Sequence, residues 1–257
     1  MEFLIVPLVA LGASALTLFS GFGLGTILLP AFALFFPADL AVAMTAVVHL
    51  LNNVFKLALL GRHADRGVVL RFGLPAVLAS FAGAGALVGL SGLAPLASWS
   101  WGSRTFAIEP LNLAMAALMV AFALLEVSPA VDRLEFPARW LPVGGLLSGF
   151  FGGLSGHQGA LRAAFLVRAG LSKEAFLATG ISVACLVDLT RLSVYAGHFS
   201  ASGLRENLGL VAAATAAAFA GAFAGTRLMH KVTLRAVKLT VAAMLMLIAV
   251  LLAAGVV

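Results

Sequence analysis

Four stretches of this chain run without a charge for the length of a membrane crossing: Phe3–Ala38, Phe72–Ser103, Leu208–Thr226 and Leu239–Val257. Roughly 18 apolar residues cross a hydrocarbon core as helix. No segment between them is large enough for a soluble domain, so the expected solvent for the whole chain is a lipid bilayer. Composition agrees: 62% of residues are hydrophobic and 10% charged, against about a quarter charged in soluble proteins. A net charge of +6 would suggest nucleic acid in a soluble protein. Here the basic residues gather in short loops, as membrane topology requires, and no nucleic acid partner is expected. Met1-Glu2-Phe3 lacks the basic start of a signal peptide, so the first segment is expected to be retained. The single cysteine, Cys185, excludes an intramolecular disulfide and a cysteine metal cluster. It is expected to pack inside a helix, and no metal or cofactor is expected.

Eight hydrophobic segments cover residues 3–36, 40–60, 71–90, 107–126, 139–168, 174–196, 207–228 and 236–256. The first and fifth are too long for one crossing and too short for two. Glycine interrupts both: Gly21-Phe22-Gly23-Leu24-Gly25 in the first, and Gly152-Gly153-Leu154-Ser155-Gly156-His157-Gln158-Gly159 in the fifth. Of 16 basic residues, Lys56, Arg162 and Arg191 lie within segments, leaving 13 at ends or in loops. Single crossings throughout would divide these 13 as six and seven. If segments one and five instead return to their starting side, eleven fall together: Arg62, Arg66, Arg71, Arg133, Arg139, Arg168, Lys173, Arg227, Lys231, Arg235 and Lys238. Only Arg104 and Arg205 remain opposite. That bias marks the basic side as cytoplasmic, makes both segments helical hairpins broken at their glycines, and puts both termini outside.

A shift of 135 positions, without a gap, pairs Gly21 with Gly156, Asp39 with Glu174, Asn53 with Asp188, Lys56 with Arg191 and His63 with His198. Under the hairpin topology the two copies cross in opposite senses, as in inverted-repeat transporters. The expected fold is therefore an all-α polytopic membrane protein, an inverted repeat of residues 1–128 and 129–257. Each half has a glycine-broken hairpin (breaks at Gly21, Gly23 and Gly25, and at Gly156 and Gly159) plus three transmembrane helices.

Charges within a membrane are costly unless paired or hydrated. Lys56 sits one turn after Asn53 on the same helical face; it either snorkels to the interface or faces the interior. Arg191 is three residues after Asp188, as a structural ion pair or as part of a site. The repeat places these two pairs equivalently, on either side of the midplane, where they would bracket one cavity. Asp188 reads as the only acid deep in a span and is the candidate for proton coupling. Arg162 follows the second break by one turn, where free backbone N–H groups and the helix dipole favour an anion. Gln158 could donate to an oxyanion and His157 could titrate; alternatively both satisfy the irregular backbone. The candidate substrate-binding residues are thus Asn53, Lys56, His157, Gln158, Arg162 and Arg191. His49 reads as a hydrogen-bonded interior histidine, since no second ligand lies at i±3 or i±4. Trp99, Trp101 and Trp140 read as interfacial anchors. Ala82–Ala86 and Ala220–Gly225 read as small-residue packing faces, which would also permit a homodimer.

Two halves, each opening on a glycine-broken hairpin followed by an Asn-x-x-Lys or Asp-x-x-Arg helix, resemble the TauE/SafE sulfite exporter family, also known as toluene sulfonate uptake permeases. The resemblance runs from Ser20-Gly21-Phe22-Gly23-Leu24-Gly25 through Pro30 to the closing span. It implies secondary transport of sulfite, sulfonates or related carboxylate anions across a bacterial cytoplasmic membrane, often as export. In the family the second glycine stretch commonly ends in proline. Here Gly156-His157-Gln158-Gly159-Ala160-Leu161-Arg162 has none before Arg168, and two polar groups and a charge stand where a ligand is expected.

The leading expectation is an alternating-access anion transporter and not an enzyme. A rival comes from Gly153-Leu154-Ser155-Gly156, which matches the Gly-x-Ser-Gly of rhomboid intramembrane serine proteases; its partner histidine would be His198, in a loop. A third reading is a membrane subunit without transport of its own.

Overall fold

The computed structural model describes residues 1–20, 23–129, 135–198, 201–228 and 234–257; Gly21, Arg133 and Lys231 lie outside them. The helices are α1 (Glu2–Ser20), α2 (Leu24–Ala33), α3 (Ala38–Leu60), α4 (Arg66–Ser91), α5 (Pro110–Val127), α6 (Leu141–Ser155), α7 (Gly159–Leu166), α8 (Lys173–Ala196), α9 (Ala201–Glu206), α10 (Leu208–Leu228) and α11 (Leu234–Ala253). Five of them are long and apolar enough to cross a membrane, and Glu2–Leu16, Leu24–Ala33 and Lys238–Ala253 are shorter apolar helices. The protein is an all-α polytopic membrane protein.

Local chemistry sets the helix ends. Asp65 caps α4 by accepting from the Val68 amide, and Ser172 caps α8 by accepting from the Ala175 amide, each satisfying a donor the first turn leaves free. Pro110 opens α5, where a missing N–H costs nothing. Gly156 closes α6 at φ 84°; its amide donates back to Phe151 and Gly152. That left-handed conformation favours glycine, and it folds the fifth segment back. Phe136 and Phe165 stack at 4.2 Å, so the chain after α7 returns to where α6 began. The fifth segment is therefore a hairpin of two half-length helices. In the first segment the longer α1 precedes the ten-residue α2.

Two parallel helix pairs frame the molecule, and both use glycines four apart. On α6, Gly145, Gly149 and Gly153 lie against the carbonyls of Phe72, Ala76 and Ser80 of α4. On α10, Gly221 and Gly225 lie against the carbonyls of Leu11 and Ala15 of α1. Small residues let helix backbones approach this closely in a membrane. Helices α3 and α8 pack together at the centre, and α5 packs on α11. Helices α2 and α7 begin 135 residues apart (159 − 24), and so do α3 and α8 (173 − 38).

The small-residue stretch Ala82–Ala86 contains two glycines with opposite surroundings. A Cβ on Gly83 would sit 2.0 Å from the Phe150 carbonyl oxygen, whereas one on Gly85 would meet nothing within 4 Å. Gly83→Ala is expected to lower the melting temperature of the purified protein by forcing α4 from α6. Gly85→Ala is expected to leave it unchanged or raise it, since alanine is the better helix former. Equal melting temperatures for the two variants would contradict this packing.

One element has no counterpart among the expected segments. Ala97–Trp101 and Arg104–Ile108 form an antiparallel hairpin, β1 and β2, with Ala97 opposite Ile108 and Trp101 opposite Arg104. Trp99 stacks on Phe106 at 4.7 Å and donates from Nε1 to the Ala254 carbonyl at 2.8 Å. The hairpin thus ties the α4–α5 connection to the end of α11.

Candidate functional site

The two broken segments meet at the centre. A Cβ on Gly25 would lie 3.7 Å from the Gly156 carbonyl oxygen, and Thr45 and His49 of α3 flank the same point. Helices α2 and α7 therefore start beside each other, both next to the central pair α3 and α8.

Between them lies a cavity of about 60 Å³ lined by His49, Asn53 and Lys56 of α3, Arg162 of α7, and the helix starts at Gly23 and Gly159. One water needs roughly 10–15 Å³ on the same scale, so there is room for a compact anion. Phe176 and Leu177, near the start of α8, also line it, which places it toward the basic end of the bundle. Lys56 is only 6% exposed: it faces this cavity rather than the interface. Among the described residues no carboxylate lies within ion-pair distance of it. Arg162 is partly buried and donates to Gln158 Oε1 at 3.0 Å.

Behind the cavity wall is a buried ionic network. Asp188 receives Arg191 Nε at 3.0 Å and His49 Nδ1 at 2.6 Å; both Asp188 and Arg191 are fully buried. Arg191 Nη2 lies 2.8 Å from Asp188 Oδ1, out of hydrogen-bond alignment. Asn53 Nδ2 approaches the His49 ring at 3.2 and 3.3 Å. His49 thus touches both the cavity and the Asp188–Arg191 pair, and it joins α3 to α8 across 139 residues. Sequence reasoning gave it no role beyond a hydrogen bond. Its position four residues before Asn53, on the same face, was the available signal.

The remaining candidates sit at the turn of the second hairpin. His157 stacks on Phe122 of α5 at 5.0 Å, and its Nδ1 lies 3.0 Å from Ser155 Oγ. Gln158 is fully buried. A Cβ on Gly156 would fall 2.7 Å from Arg191 Nη1, so only glycine lets the guanidinium reach the turn. The six expected binding residues therefore divide: Asn53, Lys56 and Arg162 face the cavity, while His157, Gln158 and Arg191 surround the turn.

A family model, Sulfite exporter TauE/SafE, matches residues 6–252 of the chain. The chain belongs to the TauE/SafE family. No curated protein matches it. Membership makes it a membrane transporter of the sulfite/anion exporter type, and a cavity lined by two cations suits that class.

Other expectations fare differently in this TauE/SafE protein. Ser155 Oγ is buried and donates to the Phe151 carbonyl, and His198 bonds the Val194 carbonyl, so the rhomboid pairing is not formed. Asp188 is not the only buried acid, although the second one lies at a helix end. Glu126, near the end of α5, is 4% exposed; it stood at the last position of an expected segment, where exposure is the default. Cys185 is buried, as expected. Among the described residues no group of three or more His, Cys, Asp or Glu could hold a metal. A second cavity, about 520 Å³, opens at the opposite end of α2 and is lined by Asp39, Glu109 and Asn112; it carries acids where the central cavity carries cations.

Proposed function

We propose that this protein is a secondary transporter that exports small sulfur-containing or carboxylate anions, of the sulfite and sulfonate class, across the bacterial cytoplasmic membrane. The observation that carries this reading is the cavity between the two hairpins, which the Lys56 ammonium and the Arg162 guanidinium both line and where, among the described residues, no carboxylate stands beside Lys56. An unpaired buried ammonium is costly, and a bound anion would offset that cost. Asn53 would add a neutral donor, and the starts of α2 and α7 would add N–H groups and dipole ends.

The halves 1–128 and 129–257 are read as an inverted repeat that rocks around this site. The cavity lies toward the basic, cytoplasmic end, so this conformation would load from inside. Moving net negative charge outward is favoured by an inside-negative potential, by about 2.3 kcal/mol per charge per 100 mV. If a proton accompanies the anion, its route would run from the cavity through His49 to Asp188. Gly83, Gly221 and Gly225 of the small-residue faces are taken up by contacts within the chain, whereas Gly85 stays open, so the first three lend a homodimer no support.

The direct test is thermal stabilisation of the purified protein by sulfite, sulfate, thiosulfate, sulfonates and short carboxylates. A ligand at 100 times its Kd stabilises the folded state by about 2.7 kcal/mol. A rise in melting temperature for one of these anions is expected. No rise for any of them would refute an anion site.

A further inference from the structure

Several buried polar atoms around the turn of the second hairpin have no partner within the protein: His157 Nε2, Gln158 Nε2 and Arg191 Nη1. Unpaired buried polar groups are rare and each requires an explanation. These three belong to one place. His157 and Gln158 follow Gly156 directly, and Arg191 Nη1 lies against Gly156. The Tyr195 hydroxyl, which donates to the Gly153 carbonyl, also interacts with Arg191. None of the three side chains lines the central cavity.

Their hydrogen-bonding roles can be assigned from their partners. Arg162 can only donate, so the Gln158 oxygen faces it and the Gln158 amide N–H₂ is the end left without a partner. Ser155 Oγ gives its hydrogen to the Phe151 carbonyl, so it receives the Nδ1 hydrogen of His157. A neutral His157 then offers a lone pair at Nε2, an acceptor. The residues around the turn therefore leave unpaired donors on Arg191 and Gln158 and one unpaired acceptor on His157.

We infer that the turn of the second hairpin is a second anion station, deeper than the central cavity, and that it selects an oxyanion carrying one acidic hydrogen, such as hydrogensulfite. Arg191 and Gln158 hold the negative oxygens and His157 Nε2 accepts the anion's own hydrogen. A fully deprotonated dianion would set a lone pair against Nε2, and a neutral acid would leave Arg191 unmatched. The inference rests on the anion-transport reading and adds an order: the anion meets Lys56 and Arg162 first, and passes to the turn when the hairpins part.

The test compares binding with exchange for the full-length protein, using sulfite near neutral pH as the hydrogen-bearing probe and sulfate as the probe without hydrogen. Wild type is expected to exchange the sulfite pool across proteoliposomes at least tenfold faster than sulfate. His157→Phe keeps the stack on Phe122 and removes Nε2. It is expected to retain sulfite-induced thermal stabilisation with an apparent Kd within threefold of wild type, while exchange falls at least tenfold. His157→Asn, which still reaches Ser155 but not the turn, is expected to behave the same, so the test survives misfolding of either variant. Wild-type exchange in both variants, or loss of binding in parallel with exchange, would overturn the second station while leaving the central site intact. A wild-type protein that no anion stabilises would instead defeat the parent reading, and this one with it.

Discussion

Arg162→Ala is expected to leave the protein inserted and folded but to remove most of its anion affinity. The side chain is partly buried and donates a hydrogen bond to Gln158, a neutral group on the same hairpin. Its removal strands no opposite charge. The loss falls on the ligand: a hydrogen bond to a charged group contributes about 1.5–3 kcal/mol, so Kd should rise roughly 10- to 150-fold. Melting temperature without ligand should change little, and the anion-dependent rise should vanish. Transport at subsaturating anion should fall by the same factor. A variant that keeps both the ligand-induced rise and the flux of wild type would remove Arg162 from the site, and with it the case for the cavity.

Arg191→Ala is expected to act on the fold before it acts on transport. Its guanidinium neutralises Asp188 in a place where both are fully buried. Removing one member of such a pair typically costs about 3–5 kcal/mol, because the other charge stays behind. The His49 contact softens the loss without replacing it, since a histidine carries charge only when protonated. The expected readout is a large fall in melting temperature and in yield of the detergent-stable form. Arg191→Ala with Asp188→Asn should recover much of the stability, because the stranded charge is gone, but not transport. If the single variant is as stable as wild type, the pair is not the buried ionic pair described above. If the double variant transports, Arg191 has no role beyond holding Asp188.

The membrane class and the return of the fifth segment were legible because they follow from length, charge and glycine placement, all local quantities. Gly156 adopts the left-handed turn that a break in a 30-residue apolar segment requires. Lys56 was ambiguous in sequence because a lysine four residues from a helix end can turn either way; only the neighbours Arg162 and His49 fix its direction. The His49–Asp188 bond could not be read at all, since it links residues 139 apart through the packing of α3 on α8. The β-hairpin was missed because Trp99 and Trp101 satisfy an interfacial reading equally well. The glycine ladders on α6 and α10 were legible and went unread on α6, where Gly145, Gly149 and Gly153 repeat every four residues.

The pairing of α1 with α10 and of α6 with α4 bears on how the chain is made. Leu11 and the glycine it packs against, Gly221, are 210 residues apart (221 − 11). At about 5–20 residues per second of synthesis, α1 waits roughly 10–40 s in the bilayer before its partner emerges. During that interval the carbonyl-lined face of α1 is open to lipid or to other nascent helices. The opposite holds for α4 and α6, which emerge within about 70 residues of each other and can dock early. Among these helices assembly thus runs from the middle outward, and α1 is among the last to find its partner.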